Sequence, residues 1–519
     1  MELNNTSSAI IYAISRGYQI HPDAFALLNS INVDVDSIMK KVVDRKDRLK
    51  EGHSILLDDV KFVIGDIVSD KVQIIGNIAA HESYQELHKN GTDVGYHVLF
   101  DPSSRINSAE DEQDYMKLFT DRYRKLLKIL SARPETRRVK KIETVKREFN
   151  RTKSMREGYL EGNNLLDKSG GSSSVLVAGL LMSRRQVKDR VEIIIDDSTS
   201  CLTAIANTRG LYEDISRLAL DQMVMLELNA TKKIGHDFLI SGVRSPDIPD
   251  HIPSKSQSES YVLLISDLHV GSKYFMEKEF AELLKWLSCD DDIAKKVKYL
   301  CIAGDIVDGI GIFPEQDKEL SEIDFTEQLG HAMNLLQQIR NDIEVFIIPG
   351  NHDPGRRALP QPSLQRFIDV NLQNNFHIIG NPSLIKLDGV KILMFHGQSL
   401  DDLIATTPGL SYSSPADAMK LLLKARHLSP VFGQRTPIAP EQEDMLVIDD
   451  VPDIFHAGHV HIIGVDRYKG TLIINSGAWQ SQTRYQATMG IIPTPGIAIL
   501  VDLSTLQPFQ KNFIYSFTH

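Results

Sequence analysis

The sequence predicts a multidomain α/β protein, on three observations. The chain has 519 residues, which at roughly 150 residues per domain corresponds to about three domains. From residue 261 onward, short runs rich in Val, Ile and Leu alternate with helical patterns, as in a layered α/β sheet. A separate group of β-rich runs between residues 175 and 243 is typical of a small barrel.

The composition excludes several classes of protein. Hydrophobic residues make up 42% and charged residues 24% of the chain, as in ordinary globular proteins. The net charge of −11 excludes a small, uniformly basic nucleic-acid coat protein. The three cysteines, Cys201, Cys289 and Cys301, lack zinc-site spacing and exclude a disulfide scaffold. With no signal-peptide pattern and no run of about eighteen apolar residues, the expected location is cytoplasmic.

The N-terminal third is expected to contain a helical module and a linker. Apolar residues at three- and four-residue spacing predict a small helical module over 1–50. Residues 51–170 are interpreted as a linker that is partly disordered. Within it, the segment 122–156 has fourteen Lys and Arg against three Glu, a local charge of +11. This segment is either a solvated helix face or an arm that contacts phosphates by releasing counterions.

The range 171–245 is predicted to form an OB-fold barrel. Five β-rich runs occur there, with one helical stretch near 210–219 between the third and the fourth, which is the OB-fold order. The runs are VLVAGLLM, RVEIIID, CLTAIA, MVMLELN and DFLISGV. OB-folds often bind single strands on aromatic platforms, but these runs contain few aromatic residues, so a purely structural role is equally open. Residues 246–260, rich in Pro, Ser and Asp, are expected to be an interdomain linker.

Beyond Tyr261, five apolar runs are each followed by residues of the types that bind metals. These residues are Asp267 and His269, then Asp305 and Asp308, then Asn351, His352 and Asp353, then His396, and finally His459 and His461. Because ligands of open α/β sheets gather at the carboxyl ends of strands, five such runs predict one shared site.

The residue types in this pattern suit two divalent metal ions and phosphoester hydrolysis. Imidazole binds manganese, iron and zinc, whereas carboxylate and amide oxygens bind magnesium and manganese, so the mixture favours Mn²⁺ over Mg²⁺, Fe²⁺ or Zn²⁺. Taken singly, an Asp after a strand is usually a helix N-cap and a lone His is usually structural. The five motifs together, D-x-H, G-D-x-x-D, G-N-H-D, F-H-G and G-H-x-H, indicate the metal site.

These motifs resemble those of the calcineurin-like metallophosphoesterase superfamily over about residues 261–480. The resemblance implies an α/β/β/α domain over 261–519 and seven metal ligands. It assigns Asp267, His269 and His461 to one ion, Asn351, His396 and His459 to the other, and Asp305 to a bridging position. His352 would be the catalytic residue, placed over the scissile phosphate without binding metal, and Asp353 would orient it or hold its loop.

Three further features resemble the B-subunits of replicative DNA polymerases: the barrel before the metal motifs, VDGIGIFPEQDKEL at 307–320 and IIPTPGIAILVDL at 491–503. Because the metal motifs are complete, the chain resembles the small subunits of archaeal family D DNA polymerases in particular. That resemblance implies a 3′→5′ exonuclease that proofreads single-stranded or mismatched DNA ends. The implied partners are a large catalytic polymerase subunit and DNA, with a sliding clamp as a further candidate.

Two other functions are also compatible with these sequence features. The first is an inert B-subunit scaffold that bridges the large subunit to replication partners, although a scaffold does not need His352. The second is a free phosphatase or phosphodiesterase for small molecules, against which the barrel, the basic segment and the long N-terminal third argue. Activity on an aryl phosphodiester without activity on DNA would favour this second function.

Overall fold

The chain divides into two compact units, Met1–Val94 and Gly95–His519. The computed structural model describes residues 13, 16, 18–20, 38–43, 46, 54–55, 95–106, 112–136, 138–160, 174–187, 190–230 and 238–514. In the smaller unit, β1 (Gln19–Ile20) pairs in parallel with β2 (Ser54–Ile55), and residues 38–43 are helical. Most of the predicted helical module over 1–50, and most of the linker before residue 95, lie outside the described residues.

The larger unit begins with strand β3 (Tyr96–Phe100) and helix α1 (Glu112–Ser131), and a closed barrel follows. The barrel region comprises β4 (Val139–Lys140), α2 (Ile142–Leu160), β5 (Val175–Val187), β6 (Arg190–Asp196), β7 (Cys201–Ala206), α3 (Arg209–Ser216), β8 (Met223–Ala230) and β9 (Phe238–Arg244). Its strand order is β4-β5-β6-β7-β9-β8, and pairing of β5 with β8 closes it. The five β-rich runs of the sequence coincide with β5 to β9, and α3 lies between the third and fourth of them.

The barrel strands fold as their residue pattern predicts. In β6, Val191, Ile193 and Ile195 are buried and alternate with partly exposed residues, because successive side chains of a strand point to opposite faces. Most of the buried residues of β5 to β9 form one apolar cluster, which also includes Ile142 and Val145 of α2.

The rest of the larger unit is built on two six-stranded sheets. Its elements are β10 (Tyr261–Ile265), α4 (Glu277–Leu287), β11 (Val297–Ala303), α5 (Phe325–Leu336), β12 (Glu344–Ile348), β13 (Phe376–Ile378), β14 (Ser383–Leu387), β15 (Val390–Met394), α6 (Leu400–Thr406), α7 (Pro415–Ala425), β16 (Ile454–Ala457), β17 (Gly464–Tyr468), β18 (Thr471–Asn475), α8 (Arg484–Thr488), β19 (Ile497–Asp502) and β20 (Gln507–Asn512). The first sheet has the order β13-β12-β11-β10-β19-β20 and the second β17-β18-β16-β15-β14-β3.

The two sheets pack face to face between helices, which makes four layers. Alternate residues of one strand belong to different apolar clusters: Leu263 faces α4 and α5, whereas Val262 faces the second sheet. On the second sheet, Leu393 packs with α6 and α7, and Ile392 faces the first sheet. Because these strands are covered on both faces, their sequences are continuous apolar runs, and their positions can be predicted from the sequence.

The linker expected over 51–170 is not borne out at residues 95–106, because β3 is an edge strand of the second sheet. It pairs antiparallel with β14, with Val98 opposite Ile385. The Tyr96 ring packs against Phe346 at a centroid distance of 5.5 Å. Since its partner strand lies about 290 residues further along the chain, local patterning does not reveal the pairing.

Helix α1 also lies within the range that was expected to be a linker. It instead packs on the two-sheet region through part of the basic segment 122–156. Arg122 is fully buried, and its Nε donates to Asp444 Oδ2 at 2.7 Å. Lys125 donates to Glu443 at 2.8 Å. These two cations therefore stabilise the fold, and the phosphate-contacting arm remains a prediction for the exposed ones. Residues 245–260 contain neither helix nor strand.

None of the helices in the described ranges is both long enough and apolar enough to span a membrane.

Candidate metal centre

The metal-type residues lie where parallel strands of both sheets end. Asp267, Asp305, His396 and His459 each follow the last residue of their strand, β10, β11, β15 and β16, by two positions. Asn351 and His352 follow β12, His269 lies beyond Asp267, and His461 beyond His459. We call Asp267, His269, Asp305, Asn351, His396, His459 and His461 the donor cluster.

One part of the donor cluster consists of Asp267, His269 and His461, whose ligand atoms all lie within 4.8 Å of one another. The two imidazole Nε2 atoms are 3.0 Å apart. His461 Nε2 lies 3.6 Å from Asp267 Oδ1. His269 Nδ1 is 3.0 Å from Asp308 Oδ1 and donates to that carboxylate, which leaves Nε2 with a lone pair toward the other two residues.

A second part consists of Asp305, His396 and His459, again within 4.8 Å. His396 Nε2 lies 3.3 Å from Asp305 Oδ2 and 2.9 Å from Asn351 Oδ1. His396 Nδ1 donates to the carbonyl of Ala303 at 2.8 Å, so its Nε2 is the nitrogen available to a metal. Asp305 also groups with His269 and His352, and it therefore lies between the two parts.

His352 and Asp353 lie on the same loop and make different contacts. The backbone N–H of His352 donates to Asp305 Oδ1 at 2.8 Å, and its Nδ1 donates to the carbonyl of Asp308 at 2.7 Å. The Asp353 carboxylate accepts hydrogen bonds from the backbone of Ile306, Val307 and Gly350 at 2.8–3.1 Å. Asp353 thus ties the loop after β12 to the loop after β11. The structure brings all the predicted site residues together.

At five of the seven residues of the donor cluster, the backbone is held in a left-handed conformation. The φ angles are 54° at Asp267, 53° at His269, 51° at Asp305, 72° at His459 and 59° at His461. Such conformations cost non-glycine residues free energy and persist where the surroundings over-determine them, most often at functional sites.

Buried negative charge makes the site suitable for cations. Asp267 and Asp305 are essentially inaccessible to solvent, and within the described ranges their ion pairs are all with histidines. Burial raises the pKa of Asp267. Burial lowers the pKa of His396, but the Asp305 and Asp267 carboxylates outweigh it and raise that pKa to about 9. Because carboxylates, an amide oxygen and imidazole nitrogens converge here, the residues fit divalent cations.

Several residues that orient the donor cluster have a role that the sequence patterns did not predict. Asp308 accepts from His269 and also from Gln316 Nε2 at 3.0 Å and Gln480 Nε2 at 2.8 Å. Its place in the G-D-x-x-D motif could have indicated that Asp308 lies at the site. Asp401 Oδ2, 3.2 Å from His459 Nε2, leaves Nδ1 of that histidine available to a metal. Although Asp401 lies only five residues after His396, its place at the start of α6 did not indicate a contact with His459.

A cavity of about 240 Å³ opens over this site. Besides cluster residues and His352, its lining includes three aromatic side chains and one arginine: Phe313, Tyr412, Tyr485 and Arg435. The Tyr412 side chain lies beside the Asp401 carboxylate. The site therefore combines cation-binding groups with apolar and cationic surface at its mouth.

Comparison with known proteins gives a family model and a set of relatives. The family model that matches, over residues 262–461, is that of the B-subunit of DNA polymerases alpha and epsilon. The DNA polymerase II small subunit of Archaeoglobus fulgidus is 32% identical over 505 residues, covering 96% of this chain and 96% of that protein. The protein of the same name from Methanothermobacter thermautotrophicus is 38% identical over 415 residues, covering 78% and 80%.

Solved structures of much lower similarity also match. Vacuolar Protein Sorting 29 from Cryptosporidium parvum is 16% identical and covers 49% of this chain and 96% of that one, with a TM-score of 0.24. An archaeal phosphodiesterase is 13% identical and covers 48% and 98%, with a TM-score of 0.25. At these scores the matches decide nothing about the chemistry.

Proposed function

Because this chain belongs to the family of DNA polymerase II small subunits, we propose that it provides a metal-dependent 3′→5′ exonuclease to such a polymerase. The observation that supports this proposal is the complete donor cluster with His352 beside it. The substrate would be a single-stranded or mismatched 3′ end, and the products deoxynucleoside 5′-monophosphates. A large catalytic subunit would carry out nucleotide addition.

Two divalent ions, with Mn²⁺ favoured, fit the two parts of the donor cluster. Asp267, His269 and His461 would hold one, Asn351, His396 and His459 the other, and Asp305 would contribute to both. Bound ions of this kind supply Lewis-acid stabilisation of a phosphodiester and lower the pKa of water.

The protein's own residues would position the substrate and donate a proton to the leaving group. His352 is anchored through Nδ1 to the carbonyl of Asp308, so Nε2 remains for the substrate. In its protonated form this nitrogen would donate to the departing 3′ oxygen, a role that suits an imidazole. Asp353 would keep the ring in place by holding the two loops together.

We also propose that the barrel is an OB-fold, on the basis of its five strands and the position of α3. The competing function is that of an inert B-subunit scaffold joining the large subunit to replication partners. The observation that favours this scaffold function is the match to the family model for the B-subunit of polymerases alpha and epsilon.

The deciding experiment uses the purified full chain, loaded with Mn²⁺, and 5′-labelled single-stranded DNA. We expect a ladder that shortens from the 3′ end and is absent with Asp305→Ala. His352→Ala should reduce the rate by about a hundredfold or more while bound Mn²⁺, measured by elemental analysis, stays at the wild-type level.

The outcomes separate the two functions. If the wild type cleaves no DNA, either alone or with the large polymerase subunit added, the exonuclease is excluded and the scaffold remains. If His352→Ala cleaves at the wild-type rate, the role given to His352 is wrong, whether or not Asp305→Ala cleaves DNA.

A further inference from the structure

We propose that Phe313 and Tyr485 form a stacking platform for the 3′-terminal base and thereby select unpaired ends. This inference rests on the proposed exonuclease, for which it names the groups that recognise the substrate. We call these two residues the aromatic pair. Three observations carry the proposal: the geometry of the two rings, their attachment to the donor cluster and the exposure of Tyr485.

The aromatic pair lies at the mouth of the cavity above the donor cluster. The ring centroids are 5.9 Å apart and the ring planes are inclined by 22°, a stacked arrangement. Phe313 comes from the loop that follows β11, and Tyr485 from helix α8. Both side chains line the cavity that His269, Asp305 and His352 also line. A strand whose terminal phosphodiester reaches those residues would bring its last base against the rings.

Phe313 is attached to the donor cluster through Gln316. The Gln316 side chain is almost fully buried and donates to the Asp308 carbonyl at 2.8 Å and to Asp308 Oδ2 at 3.0 Å. Its Oε1 accepts from the backbone N–H of Ile312 at 2.9 Å. Because Asp308 also contacts His269, the loop that carries Phe313 is tied to a predicted metal ligand.

Tyr485 is attached to the donor cluster through its neighbour in α8. This short helix begins with a capping box in which Thr483 and Gln486 bond reciprocally. Gln486 Nε2 lies 2.8 Å from His461 Nδ1. The residue next to Tyr485 therefore contacts a predicted ligand, and the two rings are attached to neighbouring histidines of the same part of the donor cluster.

The exposure of Tyr485, beside the partly exposed Phe313, indicates a surface that binds rather than one that only packs. The Tyr485 side chain is 51% exposed, although a large aromatic side chain is normally covered. Met489, which also lines the cavity, is exposed as well and extends the apolar rim. Bases stack on such rings whatever their identity, because every base has a π-face. A base that is still paired and stacked in a duplex is not available to these rings, so the platform favours frayed or mismatched ends.

The test uses the full chain, alone and in complex with the large polymerase subunit, in EDTA so that hydrolysis does not occur. The probe is single-stranded DNA with 2-aminopurine at its 3′ end, whose fluorescence falls when the base stacks. We expect quenching by the wild type, and a loss of most of it with Tyr485→Ala and with Phe313→Ala. The matched control is Phe509→Ala, a substitution at a similarly exposed aromatic residue on β20, which should quench like the wild type.

A hydrolysis assay with Mn²⁺ complements the binding assay. The ratio of kcat/KM for a normal 3′ end to that for an abasic 3′ end should be at least about tenfold in the wild type and near one in Tyr485→Ala. Tyr485→Phe, which keeps the ring, should restore the ratio.

The two assays separate the platform from the exonuclease. Absence of quenching by the wild type in both samples, or equal quenching by the wild type and the alanine variants, overturns the platform even if DNA is cleaved. Quenching that the alanine variants lose, in a protein that never cleaves DNA, supports the platform and refutes the exonuclease.

Discussion

At the scale of single residues, the arrangement of the donor cluster depends on groups that do not belong to it. Asp308 binds Nδ1 of His269, receives amide hydrogen bonds from Gln316 and Gln480, and accepts from His352 through its backbone carbonyl. Burial alone would raise the pKa of Asp308, but His269 outweighs it and the pKa lies below its ordinary value. The carboxylate is therefore ionised at neutral pH and fixes the tautomer of His269.

Asp308→Asn removes this charge while it keeps the size of the side chain. We expect the affinity for Mn²⁺ to fall by about 10- to 100-fold, since groups behind a metal-binding histidine have effects of that size. Titration calorimetry on the full chain measures the affinity. The control is Asp317→Asn, which changes an exposed carboxylate on the same loop and should leave the affinity unchanged. Equal affinities for the two variants would contradict the role of Asp308.

At the scale of elements, helix α1 is held by a buried ion pair. Arg122 contacts Asp444, which also lies 3.0 Å from His427 Nε2, and all three side chains are inaccessible to solvent. Burial alone would raise the pKa of Asp444, but His427 and Arg122 outweigh it and hold the pKa far below its ordinary value. Losing one partner would leave a buried charge without compensation.

Arg122→Ala is expected to lower the free energy of unfolding by about 3–5 kcal/mol. Arg124→Ala, which removes a side chain that is 76% exposed, should change it by less than about 0.5 kcal/mol. Urea denaturation followed by circular dichroism measures both. Because the folded-state pKa of Asp444 is depressed, its contribution is present above its unfolded pKa of about 3.9 and is lost as the pH falls toward the folded value. The difference between wild type and Arg122→Ala should therefore shrink below about pH 4, and a small difference at pH 7 would argue against the docking role.

At the scale of the whole molecule, the chain N-terminal to the barrel takes part in the two-sheet core. Strand β3 completes the second sheet, the Asp101 carboxylate accepts from the backbone of Gly380 at 3.0 Å, and the Tyr299 hydroxyl donates to the carbonyl of Gly95 at 3.0 Å. The barrel sequence is thus inserted between an edge strand and the rest of the sheet that this strand completes. This connectivity makes Gly95–His519 one compact unit.

A fragment that begins at residue 107 should be less stable than one that begins at residue 95. We expect a loss of about 2–4 kcal/mol, since each backbone hydrogen bond contributes about 1 kcal/mol and the packing of Tyr96 is also lost. The unpaired edge of β14 should also promote aggregation. Denaturation and light scattering of the two fragments check this, and equal stabilities would mean that β3 is dispensable.

The local sequence determined the elements that are covered by apolar layers and the order of the motifs that follow them. Buried strands such as β10 and β12 appear as continuous apolar runs, and the five barrel runs coincide with β5 to β9, because burial on a strand depends on neighbouring residues. The family was also predicted correctly from the motifs. Only the tertiary structure decided the pairing of β3 with β14, the docking of Arg122 on Asp444 and the contact of Asp401 with His459. These contacts join residues far apart in the chain, and no local periodicity encodes which distant partner a strand edge or a buried charge will meet.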